Sequence, residues 1–367
     1  MPLMIRRPRA QRFALMLSIL TAIALTTTGC QMLPVWATRP IKPAPLEPGD
    51  TIMFIAPAGE LSEKRMTLAK QRLEEMGFVV KQADDLFRQW GYLAGTDERR
   101  AEELMDAFTD PDVDAIFPGT GGYGTTRMLD LLDYRAIRQN PKVFIGFSDI
   151  TGLHLAINRK AGLVTFHTPN PMWGLGSEDN LTDFSATYFW RTLLKSSYYD
   201  EDGNRLSEGW TFEYPEEVPA PQTLAVGKAR GRLIGGNFSL VAPTMGTPYE
   251  IQTKGKILFI EDVREAPYRI DRYLSNLKLA GKLDDLNGVI LGKFTRTQKE
   301  DEDPSEFSMR EVFEHYFADL GIPVIYDFPA GHYKYNATLP FGAMVELEAT
   351  EEGCRITVLE DPVKLED

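Results

Sequence analysis

Short apolar runs alternate along this chain with segments whose apolar positions recur every three or four residues. Thr51-Ile52-Met53-Phe54-Ile55-Ala56 is a strand-like run closed by Pro57-Ala58-Gly59. From Ser62 to Met76 the apolar residues Met66, Ala69, Leu73 and Met76 fall on one side of a helix. The same reading predicts a strand from Phe78-Val79-Val80, a helix over Glu102 to Phe108, a strand over Asp114 to Phe117, a helix over Arg127 to Tyr134 and a strand over Val143 to Gly146. Helical spacing resumes at Ile150, Leu153, His154 and Ile157. Strands alternating with helices predict a parallel sheet covered on both faces, so residues 48–175 are expected to form an α/β domain of Rossmann or flavodoxin-like type.

From Gly176 to about Pro221 the alternation is lost and aromatics, acids and prolines accumulate. Glu216, Glu217, Pro219 and Pro221 predict an exposed connection, placed over 176–223. A second α/β domain, richer in β-structure, is expected over 224–367. It carries Gly231 to Asn237, a strand over Lys256 to Ile260, a helix from Pro267, a strand over Gly288 to Leu291 and a hairpin near the C terminus.

The first 29 residues differ in kind. Arg6, Arg7, Arg9 and Arg12 precede Phe13 to Leu25, a thirteen-residue apolar run. A membrane-spanning helix needs about 20 apolar residues, so this run fits a signal peptide better. Thr26-Thr27-Thr28-Gly29-Cys30 follows and resembles a bacterial lipobox, with Thr27 where leucine is usual. An ordinary signal peptide cut after Val35-Trp36-Ala37 is the alternative. The chain has two cysteines, Cys30 and Cys354. If Cys30 carries lipid, no intramolecular disulfide is left to form. The expectation is an exported periplasmic lipoprotein anchored to the membrane at Cys30. Gln31 after the cysteine, by resemblance to sorted lipoproteins, points to the outer membrane. Residues 30–47, with four prolines, are expected to be a stiff tether.

Charge narrows the partners. Removing the four leader arginines takes the formal charge from −13 to −17, with 53 acids against 36 bases. A surface so acidic repels phosphate, and nucleic acid is excluded as a partner.

Two glycine-marked turns carry candidate chemistry. Gly119-Thr120-Gly121-Gly122-Tyr123-Gly124 has the G-x-G-x-x-G spacing of a dinucleotide-binding loop, and Asp149 lies near the end of the next strand, where such a loop expects an acid. Ser148, in Gly146-Phe147-Ser148-Asp149, stands at a strand-to-helix turn that would raise its hydroxyl above the sheet. Ile150 replaces the last glycine of a full G-x-S-x-G elbow, and capping of the next helix by Ser148 or Asp149 is the alternative. A serine nucleophile needs a base, and the chain has four histidines. His154 lies within a predicted helix and His315 on an exposed helix face. His332, after Gly331 on a loop, is the candidate base, with His167 at a strand end in reserve. The base in turn needs an acid, and Glu261-Asp262 ends a buried-looking strand.

The ordered motifs Gly121-Gly122-Tyr123-Gly124, Gly146-Phe147-Ser148-Asp149-Ile150-Thr151, Phe166-His167, Gly235-Gly236-Asn237, Ile260-Glu261-Asp262 and Gly331-His332 resemble those of the LD-carboxypeptidase family over residues 48 to 360. That family includes murein tetrapeptide carboxypeptidases and microcin-immunity peptidases. The resemblance implies Ser148 as nucleophile, His332 as base and Glu261 as its orienting acid. It also implies an oxyanion hole from the N–H groups of Asp149 and the Gly122 region, with Tyr123, His167 and Asn237 at the oxyanion or substrate site. It implies a murein peptide substrate losing its terminal D-alanine, no metal or cofactor, and a homodimer. Two positions depart from the pattern: Thr120 stands where the tetrapeptide enzymes commonly have arginine, and Thr168 where glycine usually follows the histidine. In this light the glycine loop reads as half of an oxyanion hole, because an oxyanion and a pyrophosphate both call for converging backbone N–H groups. An immunity-type peptidase, a non-catalytic murein-peptide-binding lipoprotein and a dinucleotide binder are the rival expectations.

Overall fold

The computed structural model of the chain describes residues 40–297 and 307–365. The predicted leader, Cys30 and tether residues 30–39 lie outside the described residues. These described residues form one compact unit built on two sheets.

The first half runs β1 (Thr51–Ile55), α1 (Glu63–Glu75), β2 (Val79–Gln82), α2 (Asp97–Thr109), β3 (Ala115–Pro118), α3 (Tyr134–Gln139), β4 (Val143–Gly146), α4 (Thr151–Lys160) and β5 (Thr165–His167). The five strands pair in parallel in the order β5-β4-β3-β1-β2. Period-two alternation explains the double layer of helices. Phe54 and Phe117 enter one core with Leu73 of α1, while their neighbours Ile55 and Ile116 enter another with Leu104 and Phe108 of α2.

Three expectations are corrected. The helix expected over Arg127 to Tyr134 is instead two 3₁₀ turns, Thr125–Arg127 and Leu129–Leu131, followed by α3. Asp133 accepts from the Arg135 and Ala136 N–H groups, so it starts a helix where the pattern had one ending. The described part of the tether, 40–47, is docked: Ile41 exchanges backbone bonds with Gly162 and Val164, and Leu46 with Leu193 and Lys195. The connection contains α5 (Asp183–Leu193), whose Phe189 and Leu193 are buried in the first core. Exposure is confined to stretches such as 178–180, 201–208 and the part with Glu216, Glu217 and Pro219.

The second half adds β6 (Trp210–Thr211), β7 (Gln222–Ala225), β8 (Gly227–Asn237), α6 (Phe238–Val241), β9 (Lys256–Val263), α7 (Pro267–Leu279), β10 (Gly288–Thr295), α8 (Met309–Phe317), β11 (Val324–Tyr326), β12 (Leu339–Phe341), β13 (Met344–Ala349) and β14 (Cys354–Val358). The second sheet has the order β6-β14-β13-β8-β9-β10-β11-β7, with β8 to β11 mutually parallel and the flanking strands antiparallel. Leu258 and Ile260 of β9 face Ile270 and Leu274 of α7, while Ile257 and Phe259 face the core shared with β13 and β14.

The two sheets are stitched together twice. β12 leaves the second half and pairs antiparallel with β5, Leu339 opposite His167, as the outer strand of the first sheet. At the other seam the start of α4 meets the end of β8, where the Asn237 N–H donates to Thr151 Oγ1 at 2.9 Å. Gly236, at φ +129°, permits this approach, since an added Cβ would lie 2.5 Å from Thr151 Oγ1.

Candidate active site

Ser148, Glu261 and His332 arrive from three places. Ser148 follows β4 at φ 62°, a left-handed conformation costing a non-glycine residue about 1–3 kcal/mol, and one that swings its side chain off the strand direction. Glu261 lies near the carboxyl end of β9, fully buried. His332 sits on the crossover from β11 in the second sheet to β12 in the first.

The side chains form one line. His332 Nε2 lies 3.0 Å from Ser148 Oγ, and Nδ1 lies 2.8 Å from Glu261 Oε2. The same Glu261 oxygen accepts the His332 backbone N–H at 3.0 Å, so ring and backbone are held together. Gly331, at φ +101°, makes room for the acid: an added Cβ would stand 2.4 Å from Glu261 Oε2. Its N–H donates to Asn336 Oδ1 at 2.9 Å, and Thr295 Oγ1 donates to the His332 carbonyl at 2.9 Å.

Electrostatics agree with this geometry. Burial disfavours the imidazolium of His332, but the Glu261 carboxylate and its hydrogen bond outweigh that and raise the His332 pKa. Burial likewise opposes the Glu261 anion, and the His332 charge and hydrogen bond overcome it and hold its pKa down. Asp262, the other acid of the pair, faces away. Ser239 N and Oγ both donate to it at 2.8 Å, and burial, then the neighbouring Glu261, push its pKa up to about 6. The structure thus places Glu261, and not Asp262, against the histidine.

The glycine loop stands on the opposite side of Ser148. A Cβ on Gly121 would lie 2.9 Å from Ser148 Cβ and 3.0 Å from Asp149 N. Gly121 O accepts from Gly59 N at 3.0 Å. In a planar trans peptide this turns the Gly122 N–H away from Gly59. The Asp149 carboxylate points inward, accepting from Thr125 N at 2.9 Å, and Thr125 Oγ1 donates back to Asp149 O at 2.6 Å. Fully buried Arg100 donates to the carbonyls of Gly95, Pro57 and Gly124. Loop and elbow are therefore locked to one another, with Gly121 packed against Ser148 and the Asp149 amide and Gly122 lining the same cleft.

Three of the expected oxyanion or substrate residues lie elsewhere. Tyr123 is 48% exposed and packs edge-on against Tyr92, outside the cleft. His167 is fully buried among Phe147, Phe259 and Phe341, and neither ring nitrogen has a hydrogen-bond partner among the described residues. Burial pushes its pKa down to about 3, so it is a neutral ring in the wall behind the site. Asn237 does not face the cleft either: Nδ2 donates to Glu261 Oε1 and Asp262 Oδ1, both at 3.2 Å. It screens two adjacent buried carboxylates and fixes the one that orients His332. Asn237→Ala should lower kcat about tenfold with KM little changed, and destabilise the fold by about 1–3 kcal/mol, the cost of orphaned buried acceptors. Steady-state kinetics and urea unfolding measure both.

The triad opens into a cleft of about 870 Å³. The sequence reading missed much of its lining. Asn170 accepts the Phe147 N–H at 3.1 Å, and the Trp173 indole donates to Thr120 Oγ1 at 2.9 Å under the Arg65 guanidinium. Asn170 and Trp173 lie at the two ends of a short 3₁₀ turn, Pro171–Trp173, and nothing in their spacing marks them. Among the described residues no cluster of His, Cys, Asp and Glu is arranged to hold a metal ion.

A raised serine, an imidazole and a carboxylate in line, beside the glycine loop at the carboxyl ends of parallel strands, define a serine hydrolase. The chain belongs to the LD-carboxypeptidase family: sequence profiles of that family's N-terminal and C-terminal domains match residues 52–168 and 230–347. It is a serine-type carboxypeptidase. A protein of Bacillus subtilis (strain 168) named probable murein peptide carboxypeptidase is 40% identical over 311 residues, 85% of this chain and 92% of the relative. Among solved structures, MccF in complex with glutamyl sulfamoyl guanosine superposes with TM-score 0.79 at 28% identity, covering 89% of this chain and all of MccF. The muramoyltetrapeptide carboxypeptidase of Oxalobacter formigenes superposes with TM-score 0.73 at 29% identity, covering 85% of this chain and all of that one.

Proposed function

We propose that the protein hydrolyses the amide between an L-configured centre and a C-terminal D-residue, releasing D-alanine from murein tetrapeptides. The observation that carries this reading is the Ser148–His332–Glu261 line at 3.0 and 2.8 Å beside the Gly122 and Asp149 amides. Likeness to named murein peptide carboxypeptidases supplies the substrate. Ser148 Oγ attacks the scissile carbonyl while His332 Nε2 takes its proton. The oxyanion forms against the two amides. Collapse of the intermediate expels the D-alanine amine, which receives the proton from His332, and water then cleaves the acyl-enzyme by the same route in reverse. The steps use this chain's own groups and water.

Incubating the purified protein with murein tri-, tetra- and pentapeptides, with mass spectrometry of the products, tests the reading. Loss of one alanine from the tetrapeptide is the expected result; an intact tetrapeptide refutes it. The likeness to MccF makes an immunity-type peptidase the second reading, and an aminoacyl sulfamoyl nucleoside is its substrate arm in the same assay. A protein that binds these peptides without cutting them would be the non-catalytic lipoprotein.

Cleavage before Cys30 and lipidation there would hold the enzyme on the periplasmic face of the outer membrane, and the family resemblance adds a homodimer. At about 0.8 kcal/mol per buried methylene, two or more acyl chains anchor a soluble domain firmly. The wild type is expected in the membrane fraction, and the Cys30→Ala form in the soluble periplasm or as uncleaved precursor. A soluble wild type beginning at Thr38 would show an ordinary signal peptide instead. Light scattering of the detergent-solubilised protein reads the dimer.

A further inference from the structure

The acidic chain has a basic cleft. Arg264, Arg296 and Lys334 all line it, and among the described residues no Asp or Glu does. In a protein with 53 acids and 40 bases, that local inversion marks a place where an anion is held.

Two of these cations are set side by side by the sheet. Arg264 follows β9 and Arg296 follows β10, on paired strands in which Val263 stands opposite Thr295. The Arg264 N–H donates to the Thr295 carbonyl at 2.9 Å. Both arginines are left-handed, at φ 63° and 53°, a conformation rarely taken by long side chains. It turns each residue out of its strand at the cleft. Among the described residues neither guanidinium has a hydrogen-bond or ion-pair partner. Thr295, which precedes Arg296 and accepts from Arg264, is the residue whose hydroxyl holds the His332 carbonyl at 2.9 Å.

Their side of the cleft decides which part of a substrate they meet. The imidazole that takes the serine proton later gives it to the leaving amine, so the leaving residue must lie on the His332 side of Ser148. A leaving residue of a carboxypeptidase carries its free carboxylate two bonds from that amine. We propose that Arg264 and Arg296 form the subsite for the terminal carboxylate of the leaving residue, with Lys334 adding positive charge at the rim, and that this pair restricts the enzyme to chain ends. The proposal rests on the carboxypeptidase reading of the Ser148 site.

The test compares the murein tetrapeptide with its C-terminal amide, using full-length protein carrying Arg264→Asn, Arg296→Asn or both. Asparagine tolerates the left-handed backbone and removes the charge, so the fold should be kept, as melting temperature will show. Each change should lower kcat/KM on the acid about 10–100-fold, mostly through KM, with less than about threefold effect on the amide, as expected for a lost charge-assisted hydrogen bond. The corresponding lysine variants should recover part of the loss. Calorimetry on the Ser148→Ala chain gives a readout without turnover: the acid should bind at least about tenfold more tightly than the amide, and the preference should vanish with both arginines replaced. Variants that keep the preference for the acid, or a Ser148→Ala chain that binds both forms alike, overturn the subsite even if the wild type cuts the tetrapeptide. A wild type that leaves the tetrapeptide intact overturns the carboxypeptidase reading, and the calorimetric comparison still decides the subsite.

Discussion

Replacing Ser148 by alanine is expected to lower kcat/KM by about 10⁴–10⁶-fold while leaving the folded protein intact, in line with other serine triads. The hydroxyl contributes one hydrogen bond, to His332 Nε2 at 3.0 Å, and lies at the floor of a cleft rather than inside a core. His332→Ala should produce a loss of similar size. The double variant should be scarcely worse than either, because a base without a nucleophile and a nucleophile without a base are equally idle. Circular dichroism establishes folding and single-turnover kinetics the rates. Losses that multiply in the double variant, or an active Ser148→Ala protein, would break the assignment of the two as one unit.

Glu261→Gln should reduce kcat by about 10⁴-fold while preserving the outline of the site. Oε2 accepts both the ring Nδ1–H and the backbone N–H of His332, and Oε1 accepts from Asn237. A glutamine can satisfy one side of this arrangement only by presenting its amide N–H to the other, which favours the wrong imidazole tautomer or leaves a buried donor facing a donor. The pH profile separates this from a general loss of folding. In the proposed mechanism the neutral imidazole is the base, so activity should rise with pH through the His332 pKa, and the negative charge of Glu261 holds that pKa above the usual value of about 6.5. Removing the charge should move the rising limb to lower pH as well as lower its plateau. An unmoved limb would mean that Glu261 does not act through His332.

The sheet-forming elements were legible because their signals are local. β1, β3, β4 and β9 announce themselves as apolar runs, and each opens into a turn marked by glycine, proline or acids. Ser148, Glu261 and His332 were legible for the same reason: each stands at the end of such a run or beside a glycine. What escaped depends on partners far away in sequence. α5 looked like connection because its apolar residues are mixed with polar ones and are assigned to cores only by distant partners, Phe189 by Phe117 of β3 and Phe184 and Tyr188 by the second sheet. β12 is three residues long and is a strand only because β5 lies beside it. Asn237 sits in a glycine motif that suggested substrate contact, yet its amide serves two carboxylates 24 and 25 positions on. His167 stood at the end of the expected strand, but β12 and three phenylalanine rings seal it in.

The crossover that carries His332 from the second sheet back to the first also sets the order in which the enzyme can come to life. Ribosomal synthesis makes the elbow and glycine loop early and the acid on β9 later, but the base and β12 lie close to the C terminus. Until that last stretch emerges, β5 is an uncovered edge, open to pairing with another chain, and Ser148 has no proton acceptor. A chain that lacks the His332–β12 stretch would therefore expose a strand edge and, on the proposed mechanism, have no base.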